Sequence, residues 1–240
     1  MKKQIIYIMF LFVATIWSGC KKDNYEAPNA SVSGNIVDAA TGKNVPQQTL
    51  NGAKIRLYQL GYTGLIPQPI SSSVNADGSY ANSFIFNGKY KLFAEGPFFV
   101  KDTIFDLNIN GNTKQDLKVQ PYLTLSCEVI SKTATSITIR VNAKRSTGNV
   151  QKIARVGAVA GLTTSVDVNN YYNLDASNNG RVLINTETDG DAAIEAKSYE
   201  FIIEKLKPNT LYYVRAVSRT INDGNLFNYT NVMEVTTAAQ

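Results

Sequence analysis

Short runs that alternate apolar and polar residues, each closed by Gly, Asn, Asp or Pro, recur from residue 31 to the carboxyl end, and no long stretch carries the apolar period of a helix. Alternation of this kind buries one face of a strand and wets the other. The chain is therefore read as all-β, long enough behind its amino-terminal leader for two ordinary domains or one large one. In the first half Ile55 and Leu57 face one way, and Arg56 and Tyr58 the other. Tyr90, Leu92 and Ala94 share a face, and Thr103, Phe105, Leu107 and Ile109 share another. Asn75-Ala76-Asp77-Gly78 reads as a turn. Asn87-Gly88 is the strongest hairpin signal, because both residues tolerate positive φ. In the second half strands are expected over Leu123–Ile130, Ser136–Asn142, Lys152–Ala160, Val182–Asn185 and Val232–Thr237, with Tyr212, Val214 and Ala216 on one face of another strand and Tyr213 and Arg215 on the other.

The leader has its own pattern. Lys2 and Lys3 precede an apolar run, Ile5–Ile16, then the small residues Ser18 and Gly19, then Cys20. Charge, apolar stretch and small residues are the order of a secretory signal, and the run is shorter than the ~20 residues that span a hydrocarbon core. Residues 1–19 are expected to be cleaved. Ser18-Gly19-Cys20 resembles a bacterial lipobox, with Trp17 where an aliphatic residue is usual. The resemblance implies that Cys20 carries a lipid, that residues 20–30 are a tether, and that the protein is held to a membrane through this anchor. Lys21-Lys22-Asp23 and Glu26 resemble the surface-export signals of Bacteroidota lipoproteins, which implies the outer face of the outer membrane.

Composition excludes several function classes. There is no His, which removes the commonest general base, the imidazole metal ligand and every Ser-His or Cys-His pair. Beyond Cys20 the single thiol is Cys127, in phase with Leu123, Leu125 and Val129 and so expected in a strand core. The formal charge of +5 falls once Lys2 and Lys3 are removed, and no basic run marks a nucleic-acid partner. No catalytic residue, cofactor or metal is expected. Asp189 and Asp191, with Asp175, Glu187 and Glu195 nearby, are the densest acidic region; they read as a polar loop, with a calcium site or a hydrolytic carboxylate pair as the rival readings.

Glycan binding needs aromatic faces and planar polar groups. The only Trp is in the leader, so Tyr and Phe must serve. Tyr171 and Tyr172 lie in an Asn-rich loop, and Phe227 and Tyr229 lie with Asn222, Asp223, Asn225 and Asn228 before the last strand. These four are the expected ligand-binding residues, with Phe98-Phe99 a third aromatic pair.

Val32-x-Gly34-x-Ile36-x-Asp38-x-x-Thr41-Gly42, Asp77-Gly78-x-Tyr80 and Gly88-x-Tyr90-x-Leu92 resemble the carboxypeptidase-regulatory-like (transthyretin-like) sandwich over residues 31–120, with an insert at Ala53–Pro69 carrying Tyr62, Leu65 and Ile66. Leu206-x-Pro208-x-Thr210-x-Tyr212-x-Val214-x-Ala216 resembles the fibronectin type III signature, in which the Tyr hydroxyl ties back to backbone. The two resemblances imply two consecutive β-sandwich domains, 31–120 and 122–240. Together they resemble Bacteroidota lipoproteins of unknown function that carry a regulatory-like and then an immunoglobulin-like domain beside SusC/SusD-type glycan-uptake systems. That resemblance implies a non-catalytic accessory or glycan-binding lipoprotein whose partners are polysaccharide or oligosaccharide and SusC/SusD-like outer-membrane proteins. The alternatives are a structural or adhesive spacer of the envelope and, less in keeping with the residues, a carboxylate-dependent glycan hydrolase.

Overall fold

The computed structural model describes residues 27–61, 68–174 and 179–240. The leader, Cys20, Tyr62, Leu65, Ile66 and Asp175 lie outside the described residues. The chain is all-β. Its first half forms β1 (Ala30–Asp38), β2 (Lys54–Gln59), β3 (Ile70–Ser73), β4 (Ser79–Ile85), β5 (Gly88–Glu95), β6 (Phe98–Val100), β7 (Ile104–Ile109), β8 (Asn112–Lys114) and β9 (Leu117–Pro121). One sheet runs β4-β1-β9-β6 with β8 beside β1, and the other runs β3-β2-β5-β7. Their inward residues, among them Val32, Ile36, Ile55, Leu57, Leu92, Ile109 and Leu117, form one fully buried core. Each such side chain contributes about 1.5–3 kcal/mol by leaving water.

Asn87-Gly88 does not close a hairpin. β4 pairs with β1 in one sheet, while β5 pairs with β2 and β7 in the other. The two residues instead turn the corner between sheets. The Asn87 side chain fixes that corner by donating to Asn29 Oδ1 (3.1 Å) and accepting from the Gly111 N–H (2.9 Å). Gly34 is constrained differently. A Cβ there would collide with the carbonyl oxygen of Gln115, which also accepts from the Tyr80 hydroxyl. Gly34→Ala is expected to push that carbonyl away, strand the Tyr80 hydroxyl and cost about 2–4 kcal/mol in urea unfolding.

The second half forms β10 (Leu123–Lys132), β11 (Ile137–Arg145), β12 (Ile153–Gly161), β13 (Arg181–Asn185), a short helix α1 (Asp191–Ala196), β14 (Tyr199–Ile203), β15 (Leu211–Thr220), β16 (Asn228–Tyr229) and β17 (Met233–Thr236). The sheet β10-β11-β14 and the sheet β13-β12-β15, extended by β16 and β17 along β15, share a second core. Tyr212 is wholly buried, and its hydroxyl accepts from the Lys207 N–H at 2.9 Å, tying the strand to the turn before it. Cys127 is half-buried against this core, and burial pushes its thiol up to about 11, so it stays protonated at neutral pH.

The two halves meet over the back of β15, where Arg215 is fully buried. Its guanidinium donates to four backbone carbonyls: Thr230 (2.8 Å) and Val166 (3.3 Å) in its own half, and Gln47 (3.0 Å) and Ala76 (3.4 Å) in the other. Desolvation lowers its pKa to about 10, which leaves it charged at neutral pH. The Tyr229 ring lies 4.4 Å from the guanidinium carbon. Gln48 donates to Asp167 (3.3 Å) and Asn228 to the Pro97 carbonyl (2.9 Å) across the same junction.

Candidate functional site

The aromatic residues expected to bind ligand divide into two kinds. The connection after β12 lays Val166 and Val168 over the outer face of its own sheet, where they form a small second core with Val159, Val217 and Tyr229. Tyr229 is therefore 5 % exposed, and its hydroxyl accepts from the Val168 N–H at 3.4 Å. Tyr172 is 8 % exposed and meets Tyr212 edge-to-face, with ring centres 5.3 Å apart. Neither offers a ring face to solvent, which corrects the expectation for both: a loop aromatic that can reach a core is drawn into it. Tyr171 and Phe227 are half-buried, and each has a guanidinium over its ring, Arg181 at 4.5 Å and Arg219 at 5.8 Å. Phe98 is a core residue, and Phe99 packs edge-on to Tyr122 at the junction.

The acidic region is occupied by cations. Asp191 and Glu195 on α1 hold Arg145 at 3.0 and 2.7 Å, and Glu187 holds Arg155 at 3.0 Å. Among the described residues no three Cys, Asp or Glu side chains group to hold a metal. A cleft of about 470 Å³ opens at the junction between Thr49, Asn75, Asp77, Thr164, Ser165 and Asn231, with no aromatic ring in its lining.

A different surface gathers rings and charges, with Tyr58 and Phe93 half-buried and Phe105 exposed. In the sheet β3-β2-β5-β7, the strands β2 and β5 put Ile55, Leu57, Leu92 and Ala94 inward and send their alternate residues out. Register sets Arg56 opposite Phe93 and Tyr58 opposite Lys91, so cations and rings alternate over the two strands. Tyr58 and Phe93, diagonal neighbours, hold their rings parallel within 9°, with centres 6.0 Å apart. β7 adds a third ring through a bulge. Tyr90 faces Leu107 and Leu92 faces Ile104, so Lys91 alone opposes both Phe105 and Asp106. Both turn outward, and Phe105 is 68 % exposed. This corrects the expectation that Thr103, Phe105, Leu107 and Ile109 share one face: the extra residue breaks the phase, and Leu107 and Ile109 reach the core while Phe105 does not.

The charged groups of this face are ordered. Arg56 pairs with Glu95 at 2.8 Å and donates to Ser71 Oγ; Lys89 pairs with Asp106 at 3.0 Å. The Lys91 ammonium sits 5.4 Å from the centre of the Phe93 ring and 5.3 Å from that of Phe105. The strip can therefore pack apolar ring faces against a flat ligand while a planar guanidinium and two carboxylates donate or accept hydrogen bonds at its margins. Sequence alternation exposes Arg56 and Tyr58 on one face and, by difference, Lys91 and Phe93; the bulge at Phe105 has no such signal.

Residues 30–120 match the family described as "Protein of unknown function (DUF3823) N-terminal domain". Three solved structures share the fold over nearly the whole chain. A DUF3823 family protein from Bacteroides uniformis is 22 % identical, with a TM-score of 0.74, covering 88 % of this chain and 100 % of its own. A second protein from Bacteroides uniformis, provisionally described as carbohydrate binding, is 23 % identical with a TM-score of 0.70, covering 87 % and 99 %. A DUF3823 family protein from Parabacteroides merdae is 22 % identical with a TM-score of 0.67, covering 88 % and 100 %. At these identities the likeness is one of fold. No curated protein matches the sequence.

Proposed function

We propose that this chain is a lipid-anchored accessory protein of an outer-membrane glycan-acquisition system that captures saccharide without chemistry, on the outer face of β2, β5 and β7. The observation that carries the reading is the parallel Tyr58–Phe93 pair with Phe105 beside it, flanked by Arg56, Glu95 and Asp106. Sugar rings stack their C–H faces on aromatic rings, and their hydroxyls bond to planar polar groups. The provisional carbohydrate-binding description of one protein of the same fold points the same way. Partners in this reading are a polysaccharide or oligosaccharide and SusC/SusD-like membrane proteins.

Electrophoresis of the mature chain through gels loaded with plant and host polysaccharides tests the role. Retardation is expected with at least one polymer and is lost on Tyr58→Ala with Phe93→Ala. No retardation with any polymer, or retardation unchanged by the double variant, would contradict it.

The anchor is tested separately. Mass spectrometry of the mature amino terminus is expected to find an acylated Cys20 as first residue; an unmodified Cys20 or a retained Met1 would remove the membrane from this account. A second reading, a rigid envelope spacer that binds protein, draws support from the Arg215 junction, which ties the two sandwiches through buried hydrogen bonds. The cluster of Tyr58, Phe93 and the exposed Phe105 on one outer sheet face is what favours capture over it.

A further inference from the structure

We infer that the ligand of this sheet face is an acidic saccharide, one whose stacked ring carries a carboxylate or a sulfate. The inference rests on the reading of the face as saccharide-binding and specifies what it selects.

Lys91 decides the class. The two carboxylates of the face are already engaged, Glu95 by Arg56 at 2.8 Å and Asp106 by Lys89 at 3.0 Å. Lys91 forms no ion pair among the described residues. It is held instead between Phe93 and Phe105, at nearly equal distances from both ring centres. The ring quadrupoles attract an ammonium and fix its place, but they do not cancel its charge. The bulge in β7 creates this seat, since it turns both Phe105 and Asp106 outward opposite Lys91.

A sugar laid across Tyr58, Phe93 and Phe105 would cover that ammonium. A neutral sugar would replace its water with hydroxyl acceptors alone, whereas a uronate or sulfated sugar would add charge-assisted hydrogen bonds and a counter-charge at the centre of the strip, so the acidic form binds more tightly. Arg56 and Lys89 are balanced by Glu95 and Asp106, and Lys54 adds positive charge at the edge, so the field over the strip favours an anion.

The test uses the full mature chain with polygalacturonate, alginate and chondroitin sulfate, each beside the same polymer with its carboxylates esterified or its sulfates removed, and with polyglutamate as an acidic chain without sugar rings. At least one acidic polymer is expected to bind, to lose about tenfold or more in affinity when neutralised, and to weaken as salt rises. Lys91→Gln is expected to bring affinity for the acidic form down to that for the neutral one, with the melting temperature unchanged because the ammonium lies on the outer face. Equal binding of neutral and acidic forms, equal binding of polyglutamate, or an unchanged Lys91→Gln variant would overturn the inference. The two readings fail differently. Neutral glycan binding that is lost on Tyr58→Ala but indifferent to Lys91→Gln removes the acidic ligand and keeps the site. Binding that survives Tyr58→Ala with Phe93→Ala, or absence of any binding, removes both.

Discussion

Arg215→Met is expected to lower the melting temperature by about 10 °C and to split one calorimetric transition into two. The side chain is wholly buried and satisfies four carbonyls, two of them from the opposite sandwich. Methionine fills part of the volume but leaves the Gln47 carbonyl without its donor and the Ala76 carbonyl with the Gln47 N–H alone. It also takes a positive charge away from Asp167, which is 3 % exposed and keeps the Asn169 and Asn170 N–H groups and Gln48. Removing one partner of a buried charged cluster costs roughly 3–5 kcal/mol, and in chains of this size each kcal/mol moves the melting temperature by about 2–4 °C. Arg215→Lys should fail similarly, because one ammonium on a flexible stem cannot reach carbonyls on four segments.

Burial raises the Asp167 carboxyl above its ordinary value even in the intact protein. Stability tied to that group is therefore full below the unfolded pKa and is lost as pH rises through the folded one. Without Arg215 the folded value rises further. The deficit of the variant should be larger at pH 7 than near pH 4, and calorimetry at the two pH values reads it directly.

Tyr58→Ala with Phe93→Ala is expected to abolish saccharide binding while leaving the fold intact. A well-placed ring in a binding site is worth roughly 2 kcal/mol on truncation, or about 30-fold in affinity, so loss of both takes a weak surface interaction below detection. The structural cost is smaller, since a cross-strand pair contributes about 0.2–1 kcal/mol. Tyr172→Phe and Tyr229→Phe provide the contrast. Both rings are buried, so glycan affinity should not change with either.

The period-two pattern carried the fold class and most of the strands, because burial of one face is a local property of sequence. It did not carry strand partners. Asn87-Gly88 has every local feature of a hairpin, yet β4 and β5 each pair elsewhere, and which sheet a strand joins depends on residues far along the chain. Phase was lost at Phe105, where one extra residue opposite Lys91 reverses the facing of its neighbours along β7. The six residues of α1 are too few to show a helical period inside an acidic run.

The candidate site was legible only in part. Alternation sets Arg56 and Tyr58 on the face opposite Ile55 and Leu57, but whether a ring in a loop or a strand stays exposed is decided by what packs over it, which is not a local property of sequence. Tyr172 and Tyr229 then proved to be core, because the connection after β12 folds back over its own sheet. Arg215 read as the wetted back of a strand; it is buried only because a second sandwich and that same connection cover it.

The central claim is that saccharide is held by the outer face of β2, β5 and β7. Amide chemical shifts recorded during titration with a retarded oligosaccharide test it most directly. The account predicts that changes concentrate at Arg56, Tyr58, Lys91, Phe93 and Phe105. Changes confined to the loops around Tyr171 and Phe227, or to the junction cleft at Thr49 and Asn231, with that face unmoved, would contradict it.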